Sequence, residues 1–178
     1  MNLPNKITIF RMCMIPFFLV LFLVDSIPYN EWMALTVFIL AAASDAVDGH
    51  LARKYHLVTN FGKFMDPLAD KLLVCTALLC FVHAGTLNII VAVVIVAREF
   101  IISGFRTVAA EGGLVLAASY WGKAKTICQM IMCGLLIVHL EVFIFPVLET
   151  VFIWASFVLT VVSMMDYLIK NKSVLNTK

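Results

Sequence analysis

Four aspartates interrupt an apolar part of the chain, in two pairs: Asp45 and Asp48, then Asp66 and Asp70. The first pair is spaced i, i+3 and the second i, i+4, so in helices each pair lies on one face. Ionised carboxylates gathered in a partly desolvated place repel one another, and protonation or a bound cation must relieve the repulsion. Clustered carboxylate oxygens are the ligands of Mg²⁺ or Mn²⁺, whereas zinc would favour Cys or His. The pattern predicts a divalent-metal site.

The residues around these acids favour phosphoryl transfer. Two divalent ions bridged by carboxylates can clamp a diphosphate and stabilise charge on the attacking and leaving oxygens. Gly49 lacks a Cβ and lets backbone or ligand approach between the acids, and Arg53 supplies a bidentate cation for phosphate. The alternative is that the acids only form ion pairs with the neighbouring basic residues, which are Arg53, Lys54, Lys63 and Lys71.

Composition predicts that membrane-spanning helices position these residues. The 178 residues are 63% hydrophobic and 13% charged, which excludes an ordinary soluble domain because too little polar surface is available to cover the apolar side chains. We expect an all-α, polytopic membrane protein with a single domain over residues 1–178 and a short N-terminal interfacial segment. Six stretches approach the length that crosses a bilayer: about 7–24, 32–53, 65–83, 87–108, 120–139 and 149–169.

The basic residues predict the orientation of these spans. All 13 fall in four blocks, and the turns at 25–31, 83–86 and 140–146 between the other span ends carry none. By the positive-inside rule the blocks and both termini are cytoplasmic, in a multi-pass cell-membrane protein. The acidic pairs then lie near the cytoplasmic ends of the second and third spans. The net charge of +2 gives no reason to expect a nucleic-acid partner.

The acidic region can be written D-x2-D-G-x2-A-R-x8-G-x3-D-x3-D, from Asp45 to Asp70. In this motif the sequence resembles the CDP-alcohol phosphatidyltransferases, without a departure from their signature. The resemblance implies a homodimer of six-helix protomers, CDP-diacylglycerol as the donor and two divalent cations held by the four aspartates. It also implies that Asp70 is the general base on the acceptor hydroxyl. The residues implied to contact the CDP moiety are Gly49, Arg53 and Thr59.

The third basic block bears on the acceptor. Its four cations, Arg98, Arg106, Lys123 and Lys125, lie near the predicted metal site and favour an anionic acceptor, because Arg and Lys are common phosphate ligands. They could instead be topology signals that bind anionic lipid headgroups. We expect Glu99 to pair with Arg98 or another basic neighbour. Residues 97–106 and 121–130, together with residues 5–18 near the N-terminus, resemble the branch of the family that makes phosphatidylglycerophosphate and CMP. This resemblance implies sn-glycerol 3-phosphate as the acceptor.

Other interpretations stay open at this point. Asn5, Thr8 and Arg11 share one helical face and could line the nucleotide site or form an amphipathic anchor. The acceptor could be an inositol phosphate, serine or a phosphatidyl lipid on the same fold. A divalent-cation transporter is a further alternative, since intramembrane acids occur there too. The acidic pairs lie well past mid-membrane, whereas transporter sites lie near the midplane, so the enzyme is favoured.

Overall fold

The computed structural model describes residues 3–54, 60–111, 119–140 and 142–171. Within helices, the side chains of residues 3–6, 45–54, 60–64, 66, 67, 70 and 111 lie outside the description. The described residues form helices and turns with no strand, which confirms the all-α class. The six helices are α1 (Leu3–Leu23), α2 (Asn30–Lys54), α3 (Asn60–His83), α4 (Ile89–Glu111), α5 (Tyr120–Val138) and α6 (Ile144–Lys170).

The beginning of α1 differs from the prediction. One helix runs without interruption from Leu3 to Leu23, so no break divides the N-terminal residues from the predicted first span. The physical reason is burial: Thr8 and Arg11 are both 0% exposed, because they face neighbouring helices instead of a lipid headgroup layer. The same burial argues against the amphipathic anchor as the role of this face.

The beginning of α6 also differs from the prediction. The helix begins at Ile144, five residues before the predicted start at 149, and Pro146 lies in its first turn although we expected it to mark the preceding turn. Proline is tolerated there because the first N–H groups of a helix have no carbonyl partner within the helix. The Oγ1 of Thr150 donates to the Pro146 carbonyl over 2.8 Å.

Residues 1–84 form one compact unit, in which α1 packs against α2 and α3, and α2 packs against α3. Its core contains aromatic side chains from all three helices. The rings of Phe18 and Phe38 lie 5.8 Å apart, and those of Phe22 and Phe81 lie 5.7 Å apart, edge to face. Such ring pairs stabilise the core through buried area and through the electrostatic interaction of the rings. They join the three helices on the side of the unit that is farther from the acidic motif.

Residues 85–178 form the second unit, in which α6 packs against α4 and α5. The buried face of α6 is polar: Ser156, Thr160 and Ser163 are each 0% exposed. Its outward face is apolar, with Val147, Val151, Trp154, Val158, Met165 and Ile169 exposed. A helix in water would have the reverse arrangement. Small hydroxyl residues at an internal interface are typical of helices that pack within a membrane.

Two of the described helices are long and apolar enough to cross a bilayer. They are α5, with a mean hydropathy of 1.2, and α6, with a mean hydropathy of 2.0. Shorter apolar stretches lie within the first three helices, at Ile7–Leu23, Asn30–Ser44 and Lys71–His83. The predicted number of helices is confirmed in the described residues. Two of them satisfy the requirements for a span, and that all six cross the membrane stays a prediction.

Candidate active site

The acidic motif lies on two helices that pack against each other. Asp45 and Asp48 are in the C-terminal part of α2, and Asp66 and Asp70 are in the N-terminal half of α3; the two helices are in contact. The predicted helical setting of both pairs is thus confirmed. The side chains of these aspartates lie outside the described residues, as do Thr59 and the side chains of Asn5 and Arg53. That the four carboxylates share one pocket stays a prediction.

The donor set fits a hard divalent cation in its chemistry, since its defined acidic positions are all carboxylates and the motif contains no thiolate. The two imidazoles within it, His50 and His56, fall at variable positions of the motif. The part of the chain with described side chains contains no group of three or more His, Cys, Asp or Glu residues that could hold a metal ion. The four aspartates of the motif lie outside that part.

A buried arginine connects α1 to the start of the acidic motif. The Arg11 Nε donates to the Ser44 Oγ over 3.2 Å, and that hydroxyl donates to the Ala41 carbonyl over 2.7 Å. Ser44 directly precedes Asp45 in α2. Thr8, one turn before Arg11, is fully buried as well. The polar face of α1 therefore lies against α2 next to the motif, as expected if it lines the same site.

Three residues of α4 and α5 form an ion cluster, which we call the Glu99 cluster: Arg98, Glu99 and Lys125. The Glu99 Oε1 accepts a hydrogen bond from the Arg98 Nη1 over 3.0 Å and another from the Lys125 Nζ. The side chain of Lys125 is 3% exposed and that of Arg98 is 10% exposed. The predicted pairing of Glu99 is confirmed, with Lys125 as a second partner.

The guanidinium of Arg98 lies over the first turn of α5. Ser119 is the N-cap of this helix, and its Oγ accepts from the Gly122 backbone N–H over 3.1 Å. A Cβ on Gly122 would lie 3.4 Å from the Arg98 Nη2, so a side chain larger than that of alanine would compete with the arginine for this space. Among the described residues, the buried Nε of Arg98 has no hydrogen-bond partner.

Arg106 and Lys123 are placed differently from the other two cations of the third block. The Arg106 Nε donates to the Tyr167 Oη of α6 over 3.3 Å, and its guanidinium carbon lies 5.6 Å from the centre of that ring. Eight residues turn a helix by two turns and about a further 80°, so Arg98 and Arg106 reach different neighbours. Lys123 is exposed. The structure joins Arg98 to Lys125 and anchors Arg106 separately.

Sequence reasoning missed a buried carboxylate on α6. Glu149 of α6 is 6% exposed, and its two oxygens lie 3.0 and 3.1 Å from the Nδ1 of His139. His139 ends α5 as its C-cap in a left-handed conformation, with φ at 37°. The sequence does show an acidic residue within an apolar helix, which could have indicated a buried carboxylate. It does not show that His139 is the partner, because that contact depends on how the chain turns between α5 and α6. This pair lies at the opposite end of α5 from Lys125.

Comparisons with known proteins support the family resemblance that the acidic motif indicates. The family model described as CDP-alcohol phosphatidyltransferase matches residues 1–162. The CDP-diacylglycerol–glycerol-3-phosphate 3-phosphatidyltransferase of Bacillus subtilis (strain 168) is 42% identical over 99% of this chain and 98% of its own length. The proteins of the same name from Haemophilus influenzae and Pseudomonas fluorescens are 38% and 40% identical, each over 94% of this chain and over 91% and 89% of their own lengths. The chain belongs to the CDP-alcohol phosphatidyltransferase family.

Proposed function

We propose that this protein transfers a phosphatidyl group from CDP-diacylglycerol to sn-glycerol 3-phosphate, forming phosphatidylglycerophosphate and CMP in phospholipid biosynthesis. The observation that carries the proposal is the similarity, over nearly the whole chain, to relatives named for this reaction. The complete acidic motif from Asp45 to Asp70 supports the chemistry. The Glu99 cluster supports the choice of an anionic acceptor, because it carries one more positive than negative charge.

The acidic motif supplies the catalytic residues of the proposed reaction. Asp45, Asp48, Asp66 and Asp70 would hold two divalent cations, Mg²⁺ or Mn²⁺, which when bound polarise the diphosphate of the donor. Asp70 takes the proton of the acceptor hydroxyl. That hydroxyl oxygen attacks the phosphorus on the lipid side of the diphosphate, and the bond to CMP breaks as the new phosphodiester forms.

The nucleotide part of the donor is assigned to residues on α1, α2 and the connection that follows α2. Gly49 allows close approach, Arg53 pairs with phosphate, and Thr59 lies between the two acidic pairs in sequence. Asn5 and Thr8 complete this set from α1. The hydrogen bond from Arg11 to Ser44 supports their inclusion, because it fixes the polar face of α1 beside the motif.

The acceptor phosphate is assigned to the cations of the third basic block. Arg98 and Lys125 lie together in the Glu99 cluster, and Arg98 retains a buried N–H without a described partner. Arg106, whose guanidinium faces Tyr167, and Lys123, which is exposed, contribute further positive charge. A phosphate oxyanion pairs well with guanidinium and ammonium donors.

The setting of this reaction is the cytoplasmic face of the cell membrane, with six spans and both termini in the cytoplasm. The inverted polarity of α6 supports this, since its apolar side chains face outward and its hydroxyls face inward. The absence of Lys and Arg from the turns at 25–31, 83–86 and 140–146 supports the orientation. The active form is a homodimer, as the family resemblance implies, and membrane lipids cover its outer surface.

The experiment that tests the proposal measures CMP release by the purified full-length chain with CDP-diacylglycerol. We expect release with sn-glycerol 3-phosphate, loss of release with EDTA, and recovery when Mg²⁺ or Mn²⁺ is added. A parallel panel contains inositol phosphate and serine as acceptors. Faster turnover with either of these would overturn the acceptor assignment. Metal uptake into liposomes without lipid turnover would overturn the enzyme assignment and favour a transporter.

The proposed topology can be tested by labelling. In a variant without the native cysteines, one cysteine is introduced at Thr86, in the turn before α4, or at Ser119, at the start of α5. A membrane-impermeant maleimide applied to intact cells should label the first and spare the second. The opposite pattern would reverse the orientation.

A further inference from the structure

Two buried cations share one carboxylate oxygen in the Glu99 cluster. The Arg98 guanidinium and the Lys125 ammonium both donate to the Glu99 Oε1, although the first is next to Glu99 in sequence and the second lies 26 residues later. Two like charges this close and this poorly solvated repel each other. The carboxylate between them is therefore what allows both cations to stay at this place.

The cluster has unused capacity for an anion. An arginine side chain carries five N–H donors, and here Nη1 is occupied by Glu99 while the buried Nε has no partner in the described part of the chain. A buried donor without an acceptor is costly, and an oxyanion would remove that cost. The two cations exceed the one acid by a single positive charge, so an added anion would also be balanced electrostatically.

The flexible partner in this arrangement is Lys125. A lysine ammonium sits on a four-carbon stem with free rotation, whereas Arg98 is confined between Glu99 and the first turn of α5, where its Nη2 lies near Gly122. Because Glu99 is on α4 and Lys125 is on α5, their ion pair is a link between the two helices. This ion pair fixes the position of the Lys125 ammonium relative to the Arg98 guanidinium.

We infer that Glu99 is a positioning residue for the acceptor: its carboxylate holds Arg98 and Lys125 side by side so that both can bind the acceptor phosphate. The inference rests on the proposed function, and it adds a role for an acid within a basic site. Glu99 repels a phosphate if considered alone. Its effect on acceptor binding is nevertheless favourable, because it acts through the two cations that it orders.

The variant that tests this role is Glu99→Gln, which keeps the shape and one acceptor oxygen but removes the charge. We expect the KM for sn-glycerol 3-phosphate to rise by about tenfold or more, the effect of losing a charged hydrogen bond. The KM for CDP-diacylglycerol and kcat should stay within about threefold of the wild type. Glu99→Asp retains the charge and should give an intermediate KM for the acceptor.

The matched control is Glu149→Gln, which neutralises a buried carboxylate paired to His139 at the far end of α5. It should lower thermal stability without moving the KM for the acceptor. The positioning role is overturned if Glu99→Gln lowers kcat with an unchanged acceptor KM, raises both KM values equally, or has no effect. Absence of turnover by the wild-type chain with sn-glycerol 3-phosphate would instead contradict the proposed function.

A double variant keeps the inference testable if Glu99→Gln does not fold. Glu99→Gln combined with Lys125→Met removes one charge of each sign and restores the charge balance of the buried site. If Glu99 acts through Lys125, the acceptor KM of this protein should equal that of Lys125→Met alone within about threefold. An additional increase of about tenfold or more would overturn the inference, because Glu99 would then affect acceptor binding without Lys125 beside Arg98.

Discussion

Arg11 of α1 donates a hydrogen bond to Ser44 of α2 over 3.2 Å, and Asp45 is the next residue of that helix. A fully buried guanidinium is tolerated only when its donors are paired. The first helix is therefore fixed against the second at the point where the acidic motif begins. Movement of α1 would displace the helix that carries half of the motif.

Replacing Arg11 by methionine should destabilise the fold, because the change removes the donor to Ser44 from a buried site. Loss of a hydrogen bond to a charged group should lower the melting temperature on the order of 5 °C, measured in detergent. The control is Lys170→Met, since this lysine is 65% exposed and, within the described part of the chain, pairs with Asp166 one turn earlier. Such surface pairs contribute little. Equal melting temperatures for the two variants would contradict the structural role of Arg11.

Replacing Asp48 by asparagine should reduce CMP release by more than about a hundredfold, because a ligand carboxylate of the proposed metal site is lost. The matched control is Asp25→Asn, which changes the same residue type in the exposed turn before α2. Near-normal activity of well-folded Asp48→Asn protein would show that this aspartate is not part of the site. Mn²⁺ binding, followed by electron paramagnetic resonance, should weaken in the first variant only.

Replacing Gly122 by valine should raise the KM for sn-glycerol 3-phosphate. Even a Cβ at this position would lie 3.4 Å from the Arg98 Nη2 and from the Ser119 Oγ, so a branched side chain must push the guanidinium away. Gly104→Val is the control, since a Cβ there has no neighbouring atom within 4 Å. Both changes place valine in a helix. An unchanged acceptor KM for Gly122→Val would contradict the placement of Arg98.

Replacing His139 should test the pair at the end of α5. Alanine removes the partner of Glu149 and must also adopt a left-handed conformation, whereas glycine removes the partner without that strain. We expect His139→Ala to be less stable than the wild type by about 1–3 kcal/mol, with His139→Gly in between. Thermal and denaturant unfolding measure the order. A His139→Ala protein as stable as the wild type would show that the pair with Glu149 does not stabilise the turn.

The long apolar stretches were enough to predict six helices, but the residues at which these helices begin and end were harder to predict. The turns predicted at 25–31 and 83–86 are present. The turn predicted at 140–146 ends earlier, at Ile144, because a proline such as Pro146 costs no internal hydrogen bond in the first turn of a helix. The environment of the first residues of α1 was also open, because the sequence does not show whether the polar residues of this helix face solvent or protein. Only the packing of α1 against α2, seen in the bond from Arg11 to Ser44, decides that question.

The candidate site could be predicted as far as its residues are close in sequence. The spacing of the four aspartates is local, and so is the pairing of Glu99 with Arg98. The contacts of Lys125 with Glu99, Arg106 with Tyr167, and Glu149 with His139 are not local. Each depends on how two helices are rotated about their own axes, and the period of the apolar residues does not fix that rotation closely.

The buried hydroxyl residues of α6 determine how closely α6 packs against α5. Ser156, Thr160 and Ser163 bond to their own helix or to Cys128, and their small size allows α5 and α6 to lie close together. A leucine at Thr160 would separate the two helices by the depth of its side chain. A shift of the whole of α5 would also displace Lys125 and Gly122, which lie on the same helix. The spacing between α5 and α6 would thus control the width of the proposed acceptor site.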